Sequence, residues 1–582
     1  MFYKELVDLY SRLEATSKRL EKTHILSEFL KSARKESVIL LLQGKVFPNW
    51  DDRELGISSK LALKAISSAT GASSEDMARL WNDLGDLGDV AEMLVKNKSQ
   101  STLFSEALTV DKVFSNLRKV AGMQGSGTVN RKVQLIAELI ANSKPSEAKY
   151  VVRTILGELR VGLGEGTMRD ALIWAHFGDK VGLSYDVENN KCEYDKASFD
   201  AISDLVQRAL DVRNDFAEVA ILAKRGEGAL SQVSLVPGRP VKLMLFQKAA
   251  GFSDGFERVG SPCAIEFKYD GFRVQIHKAD GKIKLYTRRF EDVTDQFPDV
   301  IPAIERIAQD SFILDCEVIG VDKSTGKFLP FQVISQRIRR KHNIEDMALR
   351  FPVEVNVFDV LFWNGCDTLD LPFSERRRIL ESAIEAAKGI KCSDCLITES
   401  KDEAIAFYER ALSCGNEGVM MKNLKAPYKP GSRVGFGVKV KPTMDTLEVV
   451  ITGAEWGEGK RGRWLASFII AVRDVSSGDY LEIGRVGTGI KEKEGEGVSF
   501  DQLTQLLNPL ILENKGREVK VMPKIVIEVD YEEIQQSPSY SSGFALRFPR
   551  FVRLRDDRSA SDVSTIDDVR TLYSGQRGRG SC

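Results

Sequence analysis

Glu266-Phe267-Lys268-Tyr269-Asp270-Gly271-Phe272-Arg273 places one lysine two residues after an acid and five before an arginine. The flanks, Cys263 to Lys268 and Phe272 to Lys278, alternate in character on either side of the turn signal Tyr-Asp-Gly, which predicts a hairpin of two strands. Side chains of a strand alternate with period 2, so Glu266 and Lys268 fall on one face while Ile265 and Phe267 fall on the other. One face carries chemistry and the other packs. An isolated lysine beside a tight turn is ordinarily a surface residue, so the meaning of Lys268 depends on the rest of the chain.

Before this stretch, residues 1 to about 230 show apolar residues at three-to-four spacing, as in Leu26-Ser-Glu-Phe-Leu-Lys, Val133 to Ala141 and Ala148 to Leu159, and read as an all-α domain of helical hairpins. Gly162-Leu-Gly-Glu-Gly166 has the look of a nucleotide loop, but no strand precedes it and its third glycine is misplaced; a turn between helices fits better. Pro237-Gly-Arg-Pro240 breaks the helical pattern, and strands mixed with helices follow to about residue 443. From about 445, short strands with Gly-rich turns (Leu447 to Ala454, Trp464 to Val472, Tyr480 to Val486, Lys524 to Tyr531) suggest a small β-barrel of the OB type. The expected layout is therefore a helical domain at 1–235, an α+β domain at 236–444 and an OB-fold barrel at 445–582.

At 582 residues the chain is long enough for several cores, and 43% hydrophobic against 29% charged residues is ordinary for a globular protein. The formal net charge of -1 means that any nucleic-acid contact must come from local basic patches. No apolar run approaches the roughly 18 residues of a membrane span, and the charged N-terminus does not fit a signal peptide, so a cytoplasmic protein is expected. Eight cysteines are scattered, and Cys392-x-x-Cys395 has no second pair or histidine at zinc spacing; free thiols are expected.

Chemistry-bearing residues recur in order after Lys268. Arg288, placed near a strand end, suits a ribose or phosphate. Asp315 and Glu317 share one face of the strand pattern Ile313-Leu-Asp-Cys-Glu-Val-Ile319, where two acids need partners because burying them alone costs several kcal/mol. A structural salt bridge and a ribose or metal ligand both remain open for them. Phe358 lies in another apolar strand and could stack on a purine. Glu417 sits in the glycine-flanked run Gly415-Asn-Glu-Gly418, while Arg433 and the pattern Val438-Lys439-Val-Lys441, with its two lysines on one strand face, form a basic series suited to phosphate charge. No G-x-x-x-x-G-K-[ST] loop is present. Near the end, Arg547-Phe-Pro-Arg550-Phe-Val-Arg-Leu-Arg555-Asp-Asp-Arg558 interleaves arginines with aromatics, a pattern that suits nucleic acid or polyphosphate.

The ordered set Lys268-x-Asp-Gly-x-Arg273, Asp315-x-Glu317, Phe358-Asp359, Glu417-Gly-x-Met-x-Lys422 and Lys439-x-Lys441 resembles the active-site series of the covalent nucleotidyltransferases. The helical first domain and Gly543-Phe-Ala-Leu-Arg-Phe-Pro-Arg-Phe551 look like the archaeal and eukaryotic replicative type of ATP-dependent DNA ligase, over essentially the whole chain. The resemblance implies that Lys268 forms a lysyl-AMP, Glu266 accepts from the adenine amino group and Phe358 stacks on the base. It further implies that Arg273, Arg288 and Glu317 hold ribose and phosphate, that Arg433, Lys439 and Lys441 neutralise phosphates, and that Glu317 and Glu417 lie near Mg²⁺ or Mn²⁺. Arg547, Arg550 and Arg555 are the implied DNA contacts. The implied activity is sealing of nicked duplex DNA in replication, recombination and repair by a monomer.

Cations around Lys268, namely Arg273, Lys439 and a metal, are expected to lower its pKa. Gln100-Ser-Thr-Leu-Phe104 resembles a shortened sliding-clamp-binding peptide, and a plain polar loop fits it as well. Two departures from the family stand out: Gly437 where an aromatic is usual two residues before Lys439, and Arg555-Asp-Asp557-Arg558 where a terminal lysine is usual. Arg and Lys are not interchangeable at a tight phosphate site. An RNA-capping or RNA-ligating enzyme and a silent DNA-binding scaffold are the rival readings.

Overall fold

The computed structural model describes residues 1–582 apart from 98–106, 124, 126, 323–326, 330, 339, 341, 385–388, 432, 443–445, 458–460, 493–494, 496 and 577–582. The chain forms two compact units, Met1–Val440 and Lys441–Cys582.

The first unit begins with helices from Tyr3–Ala15 to Glu227–Ser231, packed around one large core that includes Leu6, Tyr10, Leu26, Leu40, Ile140 and Val151. The helical expectation holds, with one addition: the short strands Ser184–Asp186 and Lys191–Glu193 form an antiparallel pair. Many of these helices start where the sequence offers a cap. Ser58, Ser73, Asp86, Thr109, Asp195 and Asp215 each accept from a backbone N–H of the first turn, satisfying a donor that the helix itself cannot. The glycine-rich stretch 162–166 spans the turn into the helix Glu165–Phe177.

The central part of this unit contains two sheets, and here the expected hairpin is wrong. The lysine strand (Cys263–Lys268) lies in a five-stranded sheet between Cys395–Thr398 and Gly418–Asn423. The arginine strand (Phe272–Ala279) lies in the other sheet, between Lys282–Thr287 and Phe312–Val321. Tyr269-Asp-Gly271 thus carries the chain from one sheet to the next. Gly271 is required at the crossing, because a Cβ there would run into the carbonyl oxygen of Val318. The face expected to pack does so: Ile265 and Phe267 join a core with Phe407, Val419 and Val438.

The linker Val236 to Val241 is held by the arginine strand and its neighbour Lys282–Thr287. Gly238 N–H donates to His277 Nδ1 at 3.0 Å, Tyr286 Oη donates to Gly238 O at 2.8 Å, and Gln275 exchanges two hydrogen bonds with the backbone of Val241. On the helical side, Asn214 Nδ2 donates to Pro240 O, and Arg239 pairs with Glu218 and stacks over Trp50.

The second unit is β-rich. Its main sheet runs in the order Tyr480–Val486, Leu465–Arg473, Leu447–Trp456, Glu518–Val521, Ile511–Lys515, with Val526–Asp530 pairing both Leu447–Trp456 and Arg550–Leu554. Leu447, Phe468, Ile470, Ile483, Phe500, Val519 and Ile527 fill its core. The domain is β-rich as expected, and a bridge between Thr488 and Arg550 links the segment after Tyr480–Val486 to the strand Arg550–Leu554. Among the described residues no helix is long and apolar enough to cross a membrane.

Candidate active site

Lys268 ends its strand, directly opposite Gly418, whose strand begins one residue after Glu417. Glu417 N–H donates to Lys268 O at 2.8 Å, and this backbone link brings the Glu417 carboxylate against the Lys268 ammonium. The expectation of a lowered lysine pKa is overturned. Burial does work to lower it, but Glu417, with Glu317 and Asp270 behind it, raises it above its ordinary value. Arg273 cannot act on the lysine as a free cation, because its own charge is matched elsewhere.

Arg273 makes a bidentate pair with the fully buried Asp315, at 2.9 Å and 2.6 Å, and its Nη1 donates to Met244 O. Tyr428 completes this knot: its hydroxyl donates to Asp315 Oδ2 at 2.8 Å and accepts from Met244 N–H at 3.1 Å. Of the two readings open for Asp315, the salt bridge is the one observed. The carboxylate also holds the guanidinium well above its ordinary range, outweighing burial.

Glu317 sits across from Arg273 in register. Its half-buried carboxylate makes no hydrogen bond or ion pair among the described residues. Burial pushes its pKa up to about 8, against the pull of Lys268 and Arg273. A carboxylate in this state has capacity for a further cation.

Glu266, on the same face as Lys268, is buried among donors. Lys422 contacts its Oε2, while Ser393 Oγ and Arg377 Nη1 reach its Oε1 at 2.8 Å and 3.1 Å. Lys422 is shared with Phe358: its ammonium lies 4.9 Å from the ring centroid and 3.3 Å from the carbonyl oxygen. The Arg273 guanidinium lies 5.3 Å from the same ring. Asp359, next in the strand and opposite Asp315 in register, makes a buried pair with Arg376. The structure therefore gathers Glu266, Lys268, Arg273, Glu317, Phe358 and Glu417 around one region of the first unit. Tyr428, Arg377, Ser393 and Arg376 belong to it without any signal in sequence spacing.

The family models fit the same layout. Residues 1–173 match the DNA ligase N terminus, 243–441 the ATP dependent DNA ligase domain and 461–558 the ATP dependent DNA ligase C terminal region. The DNA ligase of Nanoarchaeum equitans is 46% identical over 585 residues, covering 99% of each chain. That of Thermococcus fumicolans is 41% identical over 581 residues, again covering 99% of each. The chain belongs to the ATP-dependent DNA ligases. A solved structure titled "Pmar-Lig_PreS3" shares the fold at a TM-score of 0.58 and 15% identity, over 94% of this ligase and 99% of that chain.

The other candidate residues of the ligase are more dispersed. Arg288 is exposed, just beyond the strand Lys282–Thr287, and makes no ion pair among the described residues. Arg433 and Lys439 lie on the strand Arg433–Val440, Lys439 opposite Met420 and Lys248. Lys441 falls beyond that strand, in the second unit, and pairs with Glu532 at 2.7 Å; the two lysines do not share one strand face. Gly437 has a physical cause. A Cβ at that position would meet the ring of Phe246 at 2.7 Å, so an aromatic from the neighbouring strand Leu245–Lys248 fills the space a side chain at 437 would need.

Most of the terminal arginines are paired within the second unit. Arg547 meets Glu533 at 3.3 Å, Arg553 meets Glu528 at 2.6 Å, and Arg555 holds Asp557 through two bonds of 2.8 Å while contacting Glu448. Arg550 is exposed and makes no ion pair among the described residues. Gln100 to Phe104 lies outside the described residues.

Proposed function

We propose that Lys268 is the residue on which this ligase carries AMP between ATP and a DNA 5′-phosphate. The observation that supports it most is the Lys268–Glu417 contact beside the unpaired Glu317. It brings a primary amine and a proton acceptor together beside a second carboxyl group that a bound cation would ionise. The amine must be neutral to attack, and Glu417 is the group in contact to receive the proton. The Lys268 nitrogen then bonds the α-phosphorus of ATP as the bond to the bridging oxygen breaks, and pyrophosphate leaves with that electron pair. An oxygen of the DNA 5′-phosphate next attacks the same phosphorus, and Lys268 departs with the electrons of the P–N bond. Last, the 3′-hydroxyl oxygen gives its proton to solvent and bonds the activated 5′-phosphorus, the bond from that phosphorus to the AMP oxygen breaks, AMP leaves with the electron pair, and the nick is closed.

Glu266 is assigned to the adenine amino group and Phe358 to the face of the base. Arg273, Arg288 and Glu317 are assigned to ribose and phosphate, with Arg433, Lys439 and Lys441 neutralising the phosphates. Glu317 and Glu417 suit a divalent ion. Among the described residues no cluster of three or more His, Cys, Asp or Glu could cage a metal, and a pair of carboxylates fits Mg²⁺, which keeps several waters and binds phosphate oxygens. When bound, such an ion supplies charge neutralisation for the pyrophosphate leaving group. The remaining assignments are domain limits near 235 and 444, OB-type closure of the last domain, DNA contacts through Arg547, Arg550 and Arg555, clamp binding through 100–104, a monomer, and a cytoplasmic setting.

The test is a chase. Protein labelled with α-labelled ATP and Mg²⁺ is mixed with nicked duplex DNA and, separately, with nicked RNA. Loss of label with DNA sealing supports the reading. Label that moves only to RNA favours an RNA-joining enzyme, and no label at all favours a silent scaffold.

A further inference from the structure

Glu266 is 2% exposed, and a buried carboxylate requires donors. Three converge on it, and two of them form a closed ring. Arg377 Nη1 donates both to Glu266 Oε1 and to Ser393 Oγ (2.9 Å), while Ser393 Oγ donates to the same Oε1. The arginine is tied at its other nitrogens as well: Nη2 donates to Ser393 O at 2.8 Å, and Nε donates to Glu381 at 2.7 Å. Ser393 is fixed in turn by its N–H on Val357 O. Lys422 meets the second oxygen, Oε2, and also contacts Phe358. Neither Arg377 nor Ser393 belongs to the motif series around Lys268.

We propose that Arg377 and Ser393 are positioning residues that set the nucleobase choice of this ligase. They hold the Glu266 carboxylate as a pure acceptor, so that the site takes a 6-amino purine and rejects a 6-oxo purine. An ionised carboxylate offers about four lone-pair sites and no donor. Three are engaged, which leaves one, and an amino group can donate to it. A 6-oxo purine presents a second acceptor at that place, and a buried polar site facing the wrong partner discriminates strongly, by roughly 10⁴ where pairing is complete. Without the arginine and the serine, Oε1 would lose both donors that fix it, and the carboxylate would be free to swing away from the place where it meets the 6-amino group.

This inference rests on the reading that Glu266 meets the base, and the experiment separates the two. Initial rates of lysyl–nucleotide formation are measured without DNA, using α-labelled ATP and ITP, which differ in the 6-substituent and in the hydrogen that the 6-oxo form carries on N1. The wild type is expected to prefer ATP strongly. Arg377→Met and Ser393→Ala are each expected to cut the ATP-to-ITP ratio of kcat/KM by about tenfold or more, a change of about 1.4 kcal/mol, with the loss for ATP chiefly in KM. Arg377→Lys should recover part of the ratio. If Arg377→Met does not fold, Ser393→Ala carries the same comparison. An unchanged ratio in these variants, with a changed ratio in Glu266→Gln, overturns the role of the pair alone. An unchanged ratio in Glu266→Gln overturns the base-reading role and the inference with it.

Discussion

Lys268 is charged as it stands, because Glu417 holds it so, and the same contact gives its proton a place to go. Around it, single side chains carry unequal weight. Tyr428 closes the knot of Arg273, Asp315 and Met244 through one oxygen that both donates and accepts. Tyr428→Phe is expected to cost about 2 kcal/mol, since a bond to a charged acceptor is lost and the Met244 N–H loses its partner. Urea denaturation of the variant against wild type measures it, and a loss within about 0.5 kcal/mol would show that the knot closes without the hydroxyl. At this scale the sequence was readable where period 2 decides. Glu266 and Lys268 share a face, and Ile265 and Phe267 pack, as alternation required. Tyr428, Arg377 and Ser393 were not readable, because each reaches its partner across more than 100 residues of chain, and no local spacing encodes a contact made by packing.

At the scale of elements, the flanks of Tyr269-Asp-Gly271 look alike in sequence whether they pair with each other or part. What separates them is tertiary: the lysine strand pairs with Cys395–Thr398 and Gly418–Asn423, the arginine strand with Phe312–Val321 and Lys282–Thr287. The helices were easier to read, since their periodicity and caps are local. The linker after them is seated on His277, whose Nδ1 must be unprotonated to accept from Gly238. Burial lowers its pKa to about 3 from 6.5. The folded state thus excludes a proton that the unfolded chain binds below pH 6.5, so stability is present above that pH and lost as pH falls from 6.5 toward 3. The loss from this group is about 1.4 kcal/mol per pH unit in that window. His277→Gln, which cannot titrate, should show a shallower fall in urea midpoint between pH 6.5 and 5 than wild type does. Equal slopes would mean that His277 is not the group responsible.

For the whole molecule, family membership rests on matches along nearly all of the chain, while Lys268, Glu417, Glu317 and Glu266 lie in Met1–Val440. The second unit brings a row of arginines whose charges are largely matched by Glu448, Glu528, Glu533 and Asp557. With a net charge of only -1, DNA affinity depends on the few cations left for phosphates. Arg550→Ala should weaken binding to nicked duplex and reduce the slope of log affinity against log salt by about 1, while leaving lysyl-AMP formation unchanged. A salt titration by fluorescence anisotropy reads this, and an unchanged slope would remove Arg550 from the contact.

The proposed reaction turns on one amine. The protein incubated with ATP and Mg²⁺ but no DNA, then digested and examined by mass spectrometry, should carry one AMP on the peptide containing Lys268, with the modification on the Lys268 side chain and absent from Lys268→Ala. AMP found on any other lysine, or retained in Lys268→Ala, would contradict the assignment of Lys268 as the carrier.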